Sequence, residues 1–473
     1  MTALSMTTIT GSSITVETSD IEAFKADFRG HMIGSGDPGY EEARTIWNAH
    51  IDKRPAMILR CVGVADVVQS VNFARTYQLL VAVRGGGHNF AGTSLCDAGL
   101  VIDLSGMTSV RVDSKQQTAW AEGGAKWGHF DRETQVCGLA TTGGTDSDTG
   151  IGGLTLGGGI GWLGGKYGLS CDNLIAADVV MADGQVCTAS ATENPDLWWA
   201  LRGGCGNFGI ATSLAYQLYP VGSLIAGIRA YPFEKANLVL RFYREFAHGA
   251  PDELNTACAI RTLPNGIRAV GIGVCYNGSA EAARSILSAI DILGEPLLNT
   301  IQPRSYHEVQ HLLDGVTPGG NQYYGKSHFM AEIGDEAIET LIAHFKQVPS
   351  PLSVLVFQQL GNAANRVASE ATAFGHRNAQ YNLNLIGQWT ARSEADRHTQ
   401  WVRTLWEALA PYGTGGVYVA NVGSEADEGT AGIRAAYGAN YERLVELKQK
   451  YDPSNFFRSN QNIRPTLAEA TAR

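Results

Sequence analysis

The sequence has no long apolar run, no long basic run and no C-x-x-C pair, and each absence removes a class of function. A bilayer-spanning helix needs about 20 mostly apolar residues, and no such stretch occurs. Lys and Arg number 36 against 46 Asp and Glu, a formal charge of -10, so a nucleic-acid partner is disfavoured. The eight cysteines (Cys61, Cys96, Cys137, Cys171, Cys187, Cys205, Cys258, Cys275) are scattered. That pattern fits neither a zinc knuckle nor a disulfide framework and suits a reducing compartment. The first thirty residues carry Thr, Ser and acids instead of a charged n-region and an apolar h-region, so the cytoplasm is the expected location. His307, His311, His328 and His376 show no metal-ligand spacing, and no metal is expected. There is no internal repeat and no low-complexity segment. What remains is a globular chain of 473 residues, 44% hydrophobic and 17% charged, long enough for two large domains.

Glycine is in excess, with 56 residues, and 12 of them fall in the 26 positions from Gly143 to Gly168. Such a stretch is expected to form no helix and a poor strand, because each glycine costs order without supplying packing. A flexible linker would be padded with Ser and polar residues. This one carries Ile151, Leu154, Leu156, Ile160, Trp162 and Leu163, so close approach of its backbone to a ligand is the better reading.

Periodicity places a helix over 65–78, a short buried strand over 79–83, and strands over 100–104, 109–112 and 118–122. A helix over 126–137 follows, then strands over 177–182, 184–188 and 209–219. After Pro220 a strand (226–231) and an amphipathic helix (234–246) lead to a hairpin, 257–262 and 268–276, about Pro264-Asn265-Gly266. Helices over 280–292 and 335–347 alternate with strands over 353–360 and 380–389. Helix 395–409 carries Trp401, Leu405, Ala408 and Leu409 at core spacing, and a final helix runs over 437–451. The second half reads as an antiparallel sheet covered by helices.

Gly159-Ile-Gly161-Trp-Leu-Gly164 satisfies the dinucleotide G-x-G-x-x-G pattern, but neither a preceding strand nor a good following helix is in place. A Walker A reading fails as well, since Gly165-Lys166 is followed by Tyr167. Arg84-Gly85-Gly86-Gly87-His88-Asn89 is more informative. Three successive glycines at a strand end let consecutive N–H groups turn toward one point, an anion nest suited to a pyrophosphate, with an imidazole beside it. The plain alternative is a tight turn with an incidental histidine.

The motif does not stand alone. It is followed by Thr149-Gly-Ile-Gly-Gly-Leu-Thr-Leu-Gly-Gly-Gly159-Ile-Gly-Trp162 and by Tyr167-Gly-Leu-Ser-Cys-Asp172-Asn173-Leu. Trp198-Trp199-Ala-Leu-Arg202-Gly-Gly and Gly206-Asn207-Phe208-Gly209 come next. The series closes on Tyr451-Asp-Pro-Ser-Asn-Phe-Phe-Arg458-Ser-Asn460-Gln461-Asn462-Ile463. From about Arg54 to Pro465 the chain resembles the berberine-bridge-enzyme-like branch of the FAD-linked oxidases, the vanillyl-alcohol-oxidase type.

The resemblance implies an α+β fold: a PCMH-type FAD-binding domain of two α+β subdomains, plus a substrate domain whose antiparallel sheet is covered by helices. The cofactor domain would be 1–219 (core about 54–219) completed by 450–473, and the substrate domain 220–449. It implies FAD bonded to His88 through the flavin 8α-methyl carbon. Asp146 stands where many relatives carry a cysteine bonded to flavin C6, so a single linkage is expected. Arg84, Gly85, Gly86, Gly87, Asn89, Phe90 and Ser94 would hold the cofactor from the first motif. Asp146, Ser147, Thr149, Gly150, Gly152, Gly153, Leu154, Gly159 and Trp162 would do so from the second. Gly209, Ile210, Asn460 and Asn462 complete the set.

Thr149 would lie beside flavin C4a and N5, where a side chain no larger than valine leaves room for O2; the plain alternative is a loop threonine bonded to its own backbone. Substrate oxidation also needs a proton acceptor near N5. Relatives often carry a Tyr-x-Asn near the C-terminal strand, and here the stretch is Tyr418-Val-Ala-Asn421, one residue longer. Tyr323, Tyr324 and Tyr381 are rivals for that role, each with an ordinary amphipathic core role as its alternative, and Asn421 or Gln359 would orient the substrate. The implied activity is an oxidase of a small alcohol, amine or sugar-like substrate that yields hydrogen peroxide, acting as a monomer or small homo-oligomer. A dehydrogenase with another acceptor, or a flavin-binding protein with little turnover, is the alternative.

Overall fold

The computed structural model describes residues 3–423 and 425–466 and contains three main sheets. The first has four strands in the order His31–Gly34, Met57–Arg60, Leu100–Asp103, Val81–Arg84, the last three parallel. The three parallel strands read as near-continuous apolar runs because both faces are covered. Helix Val64–Thr76 is the crossover between two of them, and it buries Val67, Val71, Phe73 and Ala74 at helical spacing. The second sheet has five antiparallel strands in the order Val186–Ser190, Leu174–Val180, Ile210–Gln217, Thr118–Glu122, Val110–Asp113.

The third sheet is antiparallel and eight-stranded. Its central order is Leu224–Pro232, Arg268–Tyr276, Leu254–Thr262, Val354–Gln359, Tyr381–Trp389, Gln322–Met330. Helices Ala236–His248, Asp335–Phe345 and Ala395–Leu409 cover one face. Alternation along each strand decides what faces them: Leu355, Phe357, Tyr381, Leu383 and Leu385 enter that core. Gln358, Asn382 and Asn384 therefore point from the opposite face. Strand Gln322–Met330 had no sequence signal, since its residues do not alternate cleanly.

The glycine stretch corrects an expectation. Ile151–Leu156 and Gly164–Tyr167 are short helices. Burial of Ile151 and Leu156 offsets the order that Gly152 and Gly153 cost. The expected final helix begins later, at Tyr441, after a separate helix Glu425–Tyr437 kinked at Gly429.

The C-terminal segment returns to the first half. Tyr437, Leu444 and Ile463 join the core of the five-stranded sheet, while Phe456 and Phe457 join that of the four-stranded one. Lys448 and Asp452 fasten this return and are fully buried. The ammonium donates to Asp452 Oδ2 (2.8 Å) and to the carbonyls of Asn207 (2.7 Å) and Phe457 (2.9 Å). Asp452 accepts the N–H groups of Phe456 and Phe457. Burial pulls the Lys448 ammonium down to about 8, with Asp452 opposing. Residues 467–473 of the expected tail lie outside the described residues. No helix among the described residues is long and apolar enough to cross a membrane.

Candidate functional site

A cleft runs between the first-half loops and the polar face of the eight-stranded sheet. Its floor is built by backbone. Strand Val81–Arg84 delivers the Gly85–Asn89 loop, and the opposite wall is the turn that starts helix Ile151–Leu156. These two loops touch main chain to main chain: a Cβ built on Gly86 would lie 2.5 Å from both Cα and N of Gly150. Only glycine at both positions permits that approach. Gly85, Gly86, Gly87, His88, Asn89, Phe90 and Ser94 line the cleft with Thr149, Gly150, Gly152, Gly153 and Leu154. Gly209, Ile210 and Asn460 line it as well.

The chemistry of this floor fits a dinucleotide flavin. His88 Nε2, Ser94 Oγ and Asn460 Oδ1, all from residues that line the cleft, are buried with no hydrogen-bond partner among the described residues. Buried polar atoms seldom stay unpaired, so they point to a ligand rich in donors and acceptors. Among the described residues no Asp, Glu, Lys or Arg lines the cleft, so an anionic group there would be met by main-chain N–H groups and neutral side chains. Burial pulls the His88 imidazole down to about 4, so it is neutral at neutral pH. Among the described residues no group of three His, Cys, Asp or Glu is placed to hold a metal ion.

Several expected cofactor residues face elsewhere. Arg84 turns away from the cleft: Nη2 and Nε bind Asp103 at 2.6 and 3.1 Å, and Nη1 reaches the Ala43 carbonyl at 2.5 Å. It ties two parallel strands together below the loop. Asp103 is buried, which raises a carboxyl, yet Arg84 and Ser105 outweigh that and hold it below the usual range. Asp146 is buried beside the cleft and accepts the Asp148 N–H; burial, aided by Asp314 and Asp148, pushes it up to about 6. Ser147 binds Asp314 through N (3.0 Å) and Oγ (2.7 Å). Gly159, at φ +85°, packs on Ser170 and Leu154. Trp162 sits in a core with Tyr306 and Cys275. Asn462 lies near Asn460 but does not line the cleft.

On the substrate side the structure separates the candidates. Tyr418, Asn421 and Thr149 line the cleft. Tyr381 and Gln359 do not, because both occupy the helix-covered face. The Tyr381 hydroxyl donates to Arg244 O at 3.4 Å, and Gln359 Oε1 accepts from Thr256 N (3.0 Å) and Oγ1 (2.7 Å). Tyr324 shares that face, with the Arg403 guanidinium over its ring at 5.4 Å. Tyr323 is on the cleft side of the sheet, but its ring stacks on Trp47 and its hydroxyl donates to Pro318 O. The strand period of two explains each case.

Sequence reasoning missed an amide wall. Asn421 Nδ2 donates to Asn384 Oδ1 (2.5 Å), and Asn384 Nδ2 to Gln358 Oε1 (2.8 Å). Asn382 Nδ2 bridges Gln358 Oε1 and Asn384 Oδ1, each at 3.0 Å. The signal available was Asn382-Leu-Asn384-Leu, two amides at alternate positions of an otherwise apolar strand. Tyr418 closes the wall. Its hydroxyl oxygen accepts the Gly159 N–H at 3.1 Å; burial raises the phenol and the Gly159 and Ile160 amides oppose it. The expected histidines serve the framework: His328 Nε2 contacts Trp406 O at 2.8 Å, and His376 Nε2 contacts Ala435 O at 3.0 Å.

Residues 55–190 match the family described as FAD binding domain, and 425–464 match the one described as berberine and berberine like. An FAD-linked oxidoreductase of Dictyostelium discoideum is 32% identical over 450 residues, covering 94% of this chain and 97% of its own. The chain belongs to the berberine-bridge-enzyme-like FAD-linked oxidoreductases. The (R)-6-hydroxynicotine oxidase of Paenarthrobacter nicotinovorans is 31% identical over 453 residues, covering 92% of this chain and 97% of its own. The crystal structure of 6-hydroxy-D-nicotine oxidase from Arthrobacter nicotinovorans superposes with a TM-score of 0.84 at 28% identity, covering 92% and 98%. As a member of this family the chain is an FAD-dependent oxidoreductase with a PCMH-type fold. Its cleft is the place where glycine loops, unpaired polar atoms and amide wall converge.

Proposed function

We propose that this berberine-bridge-enzyme-like protein is an oxidase of a small, uncharged, hydroxyl-bearing substrate, an alcohol or a sugar-like molecule. The observation that carries this is the cleft itself, with an imidazole and glycine loops on one wall and linked amides plus one tyrosine on the other. FAD would be held by the Gly85–Asn89 and Thr149–Leu154 segments and by Asn460, bonded to His88 alone, with Asp146 at the usual cysteine position. When bound it supplies a hydride acceptor at N5 that O2 reoxidises, giving hydrogen peroxide. Residues 1–219 with the C-terminal segment would form the cofactor part, and 220–449 the substrate part. Free thiols at all eight cysteines agree with a cytoplasmic location.

The chain's own residues have three tasks. Asn384, Gln358 and Asn421 orient the substrate, because a carboxamide both donates to and accepts from a hydroxyl. Among the described residues no carboxylate lines this wall to pair with a cationic amine, and a buried unpaired charge is costly. Tyr418 accepts the substrate hydroxyl proton, and the two opposing amides carry the phenolate charge. Because burial holds this phenol above 10, the competent form is a minority at neutral pH.

Anaerobic reduction across alcohols, sugars and amines tests the reading. Hydroxylated neutral compounds should bleach the flavin, and air should restore the colour with formation of peroxide. The reduction rate should rise about tenfold per pH unit between pH 6 and 9, following the phenolate fraction. Tyr418→Phe should lose on the order of 10² or more in that rate, with a normal flavin spectrum and no such slope. Faster bleaching by amines, or a Phe variant reduced at the wild-type rate, refutes it.

A further inference from the structure

Three aromatic rings are stacked outward from the cleft wall. The imidazole of His88 lies on the indole of Trp47 with centroids 4.4 Å apart and planes 20° apart. The opposite indole face lies on Tyr323 at 3.9 Å and 16°. Trp47 Nε1 donates to Thr317 O at 2.8 Å, its main-chain N donates to Gly87 O at 3.2 Å, and its carbonyl accepts from Gly320 N at 3.0 Å. The neighbouring Asn48 is fully buried and holds strand Gln322–Met330 at both main-chain groups of Tyr323, through Oδ1 (2.9 Å) and Nδ2 (3.0 Å). The same Nδ2 reaches Phe90 O at 2.9 Å, two residues past His88. Segment Trp47-Asn48 thus clamps the histidine loop to the edge of the substrate-side sheet, while His88 Nε2 keeps no partner.

We propose that Trp47 is a positioning residue for covalent attachment of the flavin: its stacked face fixes the plane of the His88 ring, so that an imidazole nitrogen meets the flavin 8α-carbon. The inference rests on the reading that His88 carries the bond. In the attachment step a histidyl N–C bond forms as an 8α C–H bond breaks. The methyl proton and the imidazole N–H proton leave to water, and the electron pair passes to the flavin ring and then to O2. Neutral imidazole is present throughout the ordinary pH range, so protonation does not limit the step. Orientation does, and a misplacement of about 1 Å can cost on the order of 10² in rate. An indole seated between two rings and anchored at Nε1 removes the rotations that would cause it. Because Tyr323 belongs to the substrate-side sheet, the stack also makes attachment depend on that sheet being docked.

The test follows the acid-stable flavin fraction of the purified protein with time after FAD is added, by in-gel fluorescence and by absorbance of the acid precipitate. His88→Ala should bind FAD and release all of it on acid treatment. Trp47→Leu should bind FAD yet attach it on the order of tenfold or more slowly. Trp47→Phe keeps a stacked face and should stay within about threefold of wild type, the rescue that a role in the Thr317 hydrogen bond does not predict. If Trp47→Leu fails to bind FAD, Tyr323→Leu, which frees the outer face of the indole, decides, with severalfold slowing expected. Attachment by the Leu variants at the wild-type rate, or equal loss in the Leu and Phe variants of Trp47, overturns the proposal. Complete release of flavin by the wild type on acid treatment refutes the His88 bond itself, an outcome distinct from the others.

Discussion

Adding one methyl group at Gly86 should pry the two cofactor loops apart. The new Cβ would stand 2.5 Å from Cα and N of Gly150, where ordinary contact begins near 3.4 Å. Both neighbours are main chain and cannot rotate away, so the loops must separate by about 1 Å. The reciprocal change at Gly150 meets Gly86 N at 2.5 Å and Cα at 2.7 Å. Overpacking of this kind costs about 1–3 kcal/mol, and each single variant should lose that much stability along with most of its bound FAD. The double variant decides the mechanism. Once one methyl has opened the gap, the second enters space already made, so Gly86→Ala/Gly150→Ala should be little worse than the poorer single. The coupling energy should then approach the full cost of one substitution. Gly153→Ala supplies the contrast. It lies in a helix, and its added Cβ meets nothing within 4 Å, yet it lines the cleft. The FAD-free chain should gain about 0.5–1 kcal/mol in helical stability, while FAD binding weakens because the methyl enters the cofactor's space. Denaturant midpoints of the FAD-free proteins and flavin content after gel filtration measure both quantities. Strictly additive losses in the double variant would refute the contact-driven account, and so would a Gly153→Ala protein that binds FAD as the wild type does.

Two further outcomes are expected. If Thr149 bounds the path of O2, Thr149→Leu should slow reoxidation about tenfold or more, ~1.4 kcal/mol, while anaerobic reduction by substrate stays within twofold; stopped-flow absorbance separates the two half-reactions, and equal slowing of both would count against the oxygen role. Asp131 is fully buried, and burial raises its pKa well above the usual value although the neighbouring Gln310 amide opposes the shift. A folded-state pKa above the unfolded one, about 3.9, gives stability that is fully present below that pH and lost as pH rises toward the folded value, by up to about 1.4 kcal/mol per unit. Asp131→Asn should therefore flatten the decline of stability above pH 4 and gain relative to wild type with rising pH. A variant that instead loses ground as pH rises would show that the carboxylate is stabilised in the fold.

What the sequence made legible depended on whether a feature is local. The hairpin about Pro264-Asn265-Gly266 was readable because its turn dictates register, and strand Arg268–Tyr276 falls where alternation puts it. Strand Gln322–Met330 was not readable. Its helix-side positions hold Lys326, paired with Glu428 at 2.7 Å, and His328, stacked on Trp406, where apolar residues would have signalled a face. Gly325 stands opposite Phe90, and a Cβ there would lie 2.8 Å from the ring. Both departures are imposed by tertiary neighbours far away in the chain. The same limit governs the substrate wall. Gln358 and Gln359 are adjacent and chemically identical, and only pairing with strand Tyr381–Trp389 decides which reaches the cleft. The histidine loop, by contrast, is marked locally by its glycines, with Gly87 at φ +66°, where a side chain is disfavoured.

The widely spaced motifs turn out to be halves of contacts, which is why their joint presence says more than any one of them. Gly86 and Gly150, from the first two motifs, need each other's missing side chains. Asp172 of the Tyr-Gly-Leu-Ser-Cys-Asp segment takes a two-point bond from Arg377, at 2.9 and 2.7 Å, on the far side of the chain. Asn207 of Gly-Asn-Phe-Gly accepts the Ile463 N–H at 2.9 Å and donates to Gln461 O at 3.2 Å. Lys448 joins the Asn207 carbonyl to that of Phe457. Removing either member of such a pair leaves a buried polar group unsatisfied, at about 1–3 kcal/mol, or a buried charge unpaired, at about 3–5 kcal/mol. The first two motifs thus meet each other at the cleft floor, and Gly-Asn-Phe-Gly meets the C-terminal motif. The amide wall across the cleft obeys the same rule. Asn382, Asn384 and Asn421 are buried and bond one another, so replacing one leaves its neighbour unsatisfied at about 1–3 kcal/mol, a cost that falls on the sheet face and not on the contact between Gly86 and Gly150.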